Sequence, residues 1–437
     1  MSVPLASDSP NITSQAVLPQ SWRMARLGHV AWLRARLGWK GLKADEYVPN
    51  GYPLLSTPDI KGKYIDFEKV NFISKVRFDE SPEIKLSLGD VLLAKDGSTL
   101  GTVNVVRELS REATVNSSIA VLTPGKKVNP LFLFYSLQGS FLVSLIQELK
   151  GGMGVPHLFQ DDIKRFPLAR PPLDEQRQIA EYLDRETGRI DELIAKQEQL
   201  VATLTERRQV LIAEAVTRGL DSKARLIDSG VEWIGEMPAH WSLQQLKRLS
   251  QVKRGASPRP IDDPKYFDED GEWAWVRIAD ASSSNGRLTE TSQTLSALGS
   301  SLSVRLEPGS LFVSIAGTVG MPCITLIRAC IHDGFVYFPG LNFSKDLLFR
   351  IFEAGRCYAG LGKLGTQLNL NTDTIGSIQI PVPPTNEQDA IVEYLHHQTL
   401  RIDRLVSKSQ LVAETLRERR AALISAAVTG KIDVRGL

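Results

Sequence analysis

The chain has 437 residues, more than one hydrophobic core usually accommodates, so two or more domains are expected. Apolar residues make up 42% of it and charged residues 23%, a composition that is ordinary for a globular protein and excludes a largely disordered one. The formal net charge of +2 neither requires nor excludes a polyanionic partner, because a local basic face can hide in a balanced total.

Signals for secretion and for membrane insertion are missing from the sequence. The tail of residues 1–18 lacks a basic segment followed by an apolar one. The most apolar window, residues 131–146, is too short to span a bilayer. Cys323, Cys330 and Cys357 are too few and too irregularly spaced for a disulfide framework or a zinc site. We therefore expect a cytoplasmic protein without a membrane partner.

Residues 19–173 have the composition of a globular domain with short strands. Basic residues and tryptophans crowd one early segment, which contains Trp32, Arg34, Arg36, Trp39, Lys40 and Lys43. Further on, an apolar run between Gly-Asp and a polar Gly segment ("LGDVLLAKDG") predicts a strand followed by a loop tip with Lys95, Asp96, Gly97 and Ser98. Lysine, arginine and serine side chains on loops suit contacts with phosphates and base edges.

A long repeat follows this first domain. Residues 171–221 and 383–433 align without a gap at an offset of 212 and agree at 25 of 51 positions. Such self-similarity indicates a duplicated domain. Each copy opens with Pro-Pro, which predicts a helix start with Asp174 or Asn386 as N-cap, and each ends near a glycine, Gly219 or Gly430.

Apolar residues in each copy recur at helical steps of three, four and seven, which predicts one apolar stripe per helix. The stripe consists of Ile179, Leu183, Ile190, Leu193, Leu200, Leu204 and Leu211, matched by Ile391, Leu395, Ile402, Leu405, Val412, Leu416 and Leu423. About 43 residues at 1.5 Å each would give a rod of about 65 Å. A lone helix of this length with one stripe needs a partner, so we expect the two copies to pair as an intramolecular coiled coil.

The segment between the two helices, residues 222–382, resembles residues 19–173 in outline. Pro238 and Trp241 repeat the spacing of Pro19 and Trp22, and "RLEPGSLFVSIAG" corresponds to "LSLGDVLLAKDG". Its own loop candidates for DNA contact are Lys253, Arg254, Ser257, Arg259 and Thr318. A shared scaffold with different loops indicates two recognition modules, and paired modules that read two half-sites are a common design in DNA-binding proteins.

The duplicated element "PPLDEQ…IAEYLD…T.RID.LI.K" and the segment "DSGVEWIGEMPAHW" resemble the specificity subunit of type I restriction-modification enzymes over nearly the whole chain. The resemblance implies an α+β protein with two target recognition domains that have mixed β-sheet cores, at 19–173 and 222–382. Helical spacers at 174–221 and 383–437 would form an antiparallel coiled coil. It also implies that Lys150 and Lys363, in Gly-rich stretches, lie close to DNA.

In that family the two domains bind the halves of a split double-stranded DNA target, and the helices set their spacing and dock methyltransferase subunits. The resemblance implies two methyltransferase subunits, together with restriction subunits. S-adenosylmethionine, ATP and Mg are expected on those partner subunits, and this chain is expected to bind no cofactor or metal and to supply specificity without catalysis.

Other functions have weaker support in the sequence. Asp59 followed by Glu83 and Lys85 has the residue types of a PD-(E)xK nuclease, but the second half has no matching set. "NPLF" at residues 129–132 is similar to an adenine methyltransferase motif but lacks the second proline, and Asn-Pro is a normal helix start. A coiled-coil protein scaffold is the remaining alternative.

Overall fold

A computed structural model of the chain describes residues 18–36, 42–150, 157–361 and 370–435. The chain forms two compact units, and each contains one globular portion together with parts of two long helices. Unit 1 comprises Met1–Glu198 and Leu411–Leu437, and unit 2 comprises Gln199–Gln410.

Short strands build the globular portion of unit 1. They are β1 (Arg23–Arg26), β2 (Ala31–Arg34), β3 (Tyr52–Leu55), β4 (Asn71–Ile73), β5 (Val91–Ala94), β6 (Val103–Val105), β7 (Thr114–Val115), β8 (Ile119–Pro124) and β9 (Pro167–Arg170). Strands β2, β8, β5 and β6 form an antiparallel sheet in that order, and β4, β3 and β7 form a mixed sheet. The pairing of β1 with β9 brings the first and last strands of the portion together.

Six α-helices begin in unit 1 among its described residues. They are α1 (Leu27–Val30), α2 (Lys75–Asp79), α3 (Pro130–Ser136), α4 (Ser140–Lys150), α5 (Gln160–Arg165) and the long α6 (Leu173–Arg218). Short 3-10 turns occupy Ala44–Glu46, Pro82–Ile84 and Gly97–Thr99. Leu93 of the sheet, Phe132 and Leu133 of α3, and Ile179 and Leu183 of α6 belong to one buried core. The first turns of α6 therefore belong to the globular core.

Unit 2 has a similar plan with more strands. They are β10 (Leu226–Asp228), β11 (Glu236–Pro238), β12 (Ser242–Gln245), β13 (Lys253–Arg254), β14 (Trp273–Val276), β15 (Arg287–Leu288), β16 (Thr294–Leu295), β17 (Val304–Leu306), β18 (Leu311–Ser314), β19 (Pro322–Thr325), β20 (Ala329–Ile331), β21 (Phe335–Tyr337) and β22 (Gln379–Val382). One mixed sheet has the order β13-β21-β18-β19-β15 and another the order β16-β14-β20-β17. Strands β12 and β22 pair as β1 and β9 do in unit 1.

The helices of unit 2 complete its core. They are α7 (Leu246–Leu249), α8 (Ile278–Ser283), α9 (Ala297–Ser301), α10 (Lys345–Ala354), α11 (Thr372–Ser377) and the long α12 (Thr385–Val428), with 3-10 turns at Pro264–Tyr266 and Arg356–Tyr358. Ile391 and Leu395 of α12 are buried with Leu348 and Phe352 of α10. The mixed sheets and the two long helices confirm the predicted α+β class.

The two long helices begin two residues earlier than the sequence pattern predicts. The backbone N–H groups of Gln176 and Gln388 donate to the carbonyl oxygens of Pro172 and Pro384, each at 3.0 Å, so the second proline takes the N-cap place. Asp174 and Asn386 consequently lie in the first turn. The predicted glycine ends are confirmed, because Gly219 and Gly430 both adopt a φ of +73° just beyond the last turn.

The sequence shared by the two helix starts is explained by contacts that recur in both units. In unit 1 the Trp22 indole N–H donates to Glu175 at 3.0 Å, and the Trp22 ring lies against Gly430. In unit 2 the Trp241 indole N–H donates to Glu387 at 2.8 Å, and the Trp241 ring lies against Gly219. Each tryptophan thus joins the start of one long helix to the end of the other.

The glutamine after each glutamate forms a hydrogen bond with the N-terminus of a neighbouring helix. The side-chain oxygen of Gln176 accepts from the backbone N–H of Asn129, and that of Gln388 accepts from the backbone N–H of Ser344, both at 2.9 Å. Asn129 and Ser344 are the N-caps of α3 and α10. The Glu-Gln pair is therefore part of the internal structure of each unit.

Helices α6 and α12 pack antiparallel, as the resemblance implies. In unit 1, Asp191 pairs with Arg420 at 2.8 Å and Glu198 pairs with Arg417 at 2.5 Å, so the residue number rises on one helix as it falls on the other. In unit 2, Arg208 of α6 pairs with Asp403 of α12 at 2.9 Å. Because Asp191 and Asp403 occupy equivalent repeat positions, as do Arg208 and Arg420, the two ion pairs are reciprocal.

The least exposed residues in the middle of each helix follow alternating steps of four and three, the spacing of coiled-coil a and d positions. We call these residues the seam. They are Ile190, Ile194, Gln197, Val201, Leu204, Arg208 and Leu211 on α6, and Ile402, Val406, Ser409, Ala413, Leu416, Arg420 and Leu423 on α12. Polar side chains (Gln197, Arg208, Ser409 and Arg420) are thus interspersed among apolar ones, and the seam agrees with the repeat offset.

Four residues of the expected apolar stripe are exposed on the long helices and lie beside the seam. Leu193, Leu200, Leu405 and Val412 are 43–46% exposed. Each precedes a seam residue by one position and so lies at a flanking g position. The other members of the stripe are buried or half-buried. The predicted stripe is wrong at these four positions, because Gln197 and Ser409 occupy seam positions where apolar residues were expected.

Candidate nucleic-acid interface

Both units present the same pair of loops at the ends of two adjacent central strands. In unit 1 the loop after β5 meets the loop before β8, where the Lys95 N–H donates to the Ser118 carbonyl at 2.8 Å. In unit 2 the loop after β18 meets the loop before β21, where the Ile315 N–H donates to the Gly334 carbonyl at 2.7 Å. The backbone scaffold is shared, while Lys95 and Asp96 in unit 1 are replaced by Ile315 and Ala316 in unit 2.

The unit 1 loop carries a compact charged group. Asp96 accepts from the Lys95 ammonium at 3.1 Å and also contacts Nδ1 of His157. Lys95 is only 12% exposed, so the expected free lysine at the loop tip is largely covered and already paired. Ser98 is exposed on the Gly97–Thr99 turn. Phe159, whose ring centroid lies 4.6 Å from that of His157, is 56% exposed and adds an aromatic surface.

The other basic residues of unit 1 differ in position and exposure. Lys43 is exposed just before the Ala44–Glu46 turn. Lys40 lies outside the described residues, and Lys150 ends α4 with a side chain that also lies outside them. Arg34 is unavailable as a surface cation, because it is buried and donates to Asp90 at 2.6 Å and to the Lys85 carbonyl at 2.8 Å. The buried Arg34 side chain therefore links β2 to the segment that precedes β5.

In unit 2 the structure brings together three of the candidates around one carboxylate that the sequence did not single out. Ser257 donates to Asp333 Oδ1 at 3.2 Å, and Arg259 donates to Asp333 Oδ2 at 3.1 Å. The Arg254 guanidinium lies 4.0 Å from Oδ2 and donates through Nε to the Asp333 backbone carbonyl. Lys253 is exposed beside Arg254 on β13. We call Arg254, Ser257, Arg259 and Asp333 the Asp333 cluster.

His332 fixes the loop that carries Asp333. Its Nδ1 accepts from the Gly334 N–H at 2.8 Å, so the proton of the neutral ring is on Nε2. The ring lies near those of Trp275 and Phe335, with centroids 5.9 and 4.7 Å away. Burial lowers the pKa of His332, and the Asp333 charge opposes that shift. The neutral form that this hydrogen bond requires is therefore favoured.

Thr318 and Lys363 are the two remaining candidates of unit 2. Thr318 is exposed on the loop after β18, and its carbonyl accepts from the Ser314 hydroxyl. The same loop touches the Asp333 loop, because a Cβ on Gly334 would come within 3.4 Å of Ala316. Lys363 lies outside the described residues.

Residues of the two enzyme alternatives have structural partners of their own. Asp59 accepts from the Ser56 N–H at 2.7 Å in a turn, and Lys85 donates to Asp79 at 2.6 Å. Asn129 caps α3, accepting from the Phe132 N–H at 3.0 Å, and Pro130 takes the first helical position, as the helix-start interpretation expects. Within the described part of the chain, no group of three or more His, Cys, Asp or Glu side chains could hold a metal ion.

The residues of the candidate interface that sequence reasoning did not single out are His157, His332 and Asp333. His157 and Asp333 lie far along the chain from Asp96 and Ser257, which they contact, and no local pattern distinguishes them. One signal could have located the Asp333 loop. "VNSSI" and "IHDGF" precede equivalent strands, and they differ completely while the strands on either side remain apolar.

Comparison with known proteins agrees with this architecture. The model of the type I restriction modification DNA specificity domain matches twice, at residues 19–202 and 238–409. The MjaVIII specificity subunit of a type I restriction enzyme from Methanocaldococcus jannaschii is 24% identical, over 96% of this chain and 95% of its own length.

Two solved structures share the fold. One chain, from a study of complex assembly and conformational transition of the type I R-M system, is 18% identical with a TM-score of 0.72, over 96% of this chain and 100% of that one. The HsdS subunit from Thermoanaerobacter tengcongensis is 17% identical with a TM-score of 0.50, over 96% and 99%.

The chain therefore belongs to the type I restriction modification DNA specificity family, and the resemblance found in its sequence is confirmed. Among the described residues, no helix combines the length and apolar character needed to cross a membrane.

Proposed function

We propose that this chain is the non-catalytic specificity subunit of a type I restriction-modification complex, in which units 1 and 2 each read one part of a bipartite double-stranded DNA target. The observation that carries the proposal is the loop pair that recurs in both units on one backbone scaffold with unlike side chains. Selection for a different target in each unit would preserve the scaffold and change the loops.

The chemistry of the loops supports DNA as the partner. Lys253, Arg254 and Arg259 of unit 2 are exposed cations on one strand and its following loop, and such groups suit phosphate contacts. Ser98 and Thr318 offer hydroxyl groups at equivalent loops of the two units. These hydroxyls can donate to or accept from base edges.

Exposed aliphatic residues on the long helices support docking of other proteins. Leu193 and Val412 in unit 1 and Leu200 and Leu405 in unit 2 are exposed at g positions. Antiparallel pairing puts the g positions of both helices on the same flank of the seam, so each unit has one apolar flank. We propose that each flank docks one methyltransferase subunit, which gives two per complex, and that restriction subunits complete the assembly. S-adenosylmethionine, ATP and Mg would be bound by those subunits.

Duplex binding tests the proposal directly. The complex of this chain with its methyltransferase subunit should bind target DNA with an affinity that falls steeply with salt. Lys253→Ala with Arg254→Ala should weaken the contact with one half-site, and Ser98→Ala should affect only the other. A coiled-coil scaffold would bind no duplex and would tolerate all three changes.

A matched pair of variants tests the proposed docking of the methyltransferase subunits. Leu200→Glu with Leu405→Glu should reduce the mass of the reconstituted complex by one methyltransferase subunit, because charges replace an apolar contact. Thr205→Glu adds a charge at an exposed position on the opposite flank and should leave the mass unchanged. Equal effects of the two variants would contradict the assignment of the docking flank.

A further inference from the structure

Asp333 is a carboxylate in the middle of the cations that unit 2 offers to DNA. A carboxylate repels phosphate, so its presence there weakens contact with any DNA backbone. Asp333 is 41% exposed, and Arg259, which pairs with it, is 79% exposed. Exposed ion pairs of this kind are weak and exchange readily for other partners. The Asp333 carboxylate is therefore able to accept a new donor when DNA arrives.

The loop that carries Asp333 is held in place before DNA binds. The Gly255 N–H donates to the Phe335 carbonyl at 2.9 Å, and the Ala256 N–H donates to the Ile331 carbonyl at 3.1 Å. A Cβ on Gly255 would lie 2.2 Å from the His332 carbonyl oxygen, so the two segments approach as closely as glycine allows. The position of the carboxylate is thus set by the backbone, and binding need not order it.

The groups on DNA that a carboxylate can contact are few. In the major groove, the hydrogen-bond donors on base edges are the exocyclic amino groups of cytosine and adenine. Guanine and thymine present acceptors at the corresponding place, and these repel a carboxylate. A fixed Asp therefore discriminates between bases, whereas the cations beside it contact phosphate in any sequence.

We propose that Asp333 is a specificity-determining residue of unit 2. Its carboxylate accepts a hydrogen bond from the exocyclic amino group of one cytosine or adenine in the half-site that unit 2 reads, and it orients Arg254 and Arg259 for the adjacent contacts. This inference rests on the proposed function, because it presupposes that unit 2 reads DNA.

The test uses the full chain with its methyltransferase subunit, and the readout is the set of methylated sequences in cellular DNA. Asp333→Ala should relax discrimination about tenfold at one base position of one half-site, since a single mismatched base pair has an effect of that order. The other half-site should be read as before, which also shows that the variant folds and assembles. Asp333→Asn keeps the shape, removes the charge, and should relax the same position.

A charge control separates base reading from general electrostatics. Glu307→Gln removes one negative charge from an exposed ion pair with Arg328 elsewhere in unit 2, so the total charge changes equally. It should leave the motif unaltered, whereas both Asp333 variants should bind nonspecific duplex more tightly and with a steeper salt dependence.

The inference is overturned if both Asp333 variants keep the wild-type motif, or if methylation falls equally at every position. Failure of the proposed function itself would look different. In that case the wild-type complex would mark no bipartite motif at all.

Discussion

Replacing Arg208 with alanine should destabilise unit 2 by about 2 kcal/mol. The Arg208 side chain is 18% exposed and donates to Glu353 of α10 and to Asp403 of α12, each at 2.9 Å. Loss of a fully buried ion-pair partner costs about 3–5 kcal/mol, and loss of an exposed one less than about 1. An intermediate cost is expected because Glu353 keeps Arg350 at 2.7 Å, while Asp403 is 49% exposed and can be hydrated.

Urea denaturation followed by far-UV circular dichroism, with hydrogen exchange to localise the change to residues 199–218, measures this effect. The neighbouring Arg207→Ala is the control, because Arg207 is exposed and its loss should change the unfolding free energy by less than about 0.5 kcal/mol. A double-mutant cycle with Asp403→Ala isolates the contact between the helices. If Arg208→Ala costs no more than Arg207→Ala, the assignment of Arg208 to the seam is wrong.

Three further predictions concern other parts of the structure. Gly219→Ala should cost about 1–2 kcal/mol in thermal or urea unfolding, because Gly219 has a φ of +73° and a Cβ there would lie 2.8 Å from the Trp241 ring; an unchanged midpoint would contradict this. Burial lowers the pKa of His332 from 6.5. The contribution of the neutral His332 ring to the unfolding free energy is therefore complete above pH 6.5 and is lost as the pH falls through the lowered pKa. His332→Gln should flatten the dependence of the unfolding free energy on pH in this range. Burial raises the pKa of Cys330 to about 11 and raises that of Cys357 as well. Neither thiol should therefore react with a thiol reagent until the protein is unfolded. Rapid labelling of the folded chain would refute the burial of these thiols.

The parts of the fold that depend on local patterns were predictable from the sequence. The long helices followed from the repeat, and their glycine ends were correct because a left-handed C-terminal residue favours glycine wherever the helix lies. The helix starts were displaced by two residues, because Pro172 and Pro384 provide the capping carbonyls and a polar side chain is not needed there.

The seam was harder to predict, because a residue at a seam position is recognised by its neighbour on the other helix. Arg208 and Arg420 look like surface charges in the sequence, yet each meets an aspartate across the seam. Leu200 looks like a seam residue, yet it lies on the flank.

The candidate interface shows the same division between local and long-range information. The loop tips after β5 and β18 were predicted from strand and turn patterns, and Ser98 and Thr318 are exposed there. The partners that change the character of the loops could not be predicted. Lys95 is covered because Asp96 and His157 pack beside it, and Asp333 reaches Ser257 across 76 residues of chain.

The positions methylated in cells that carry this chain with its methyltransferase subunit test the central claim most directly. Two recognition units on one chain predict a motif of two defined elements separated by a spacer of unspecified sequence, with changes on the unit 2 loops, such as Asp333→Ala, altering one element only. A continuous motif, or a motif in which these changes affect both elements alike, would contradict the account.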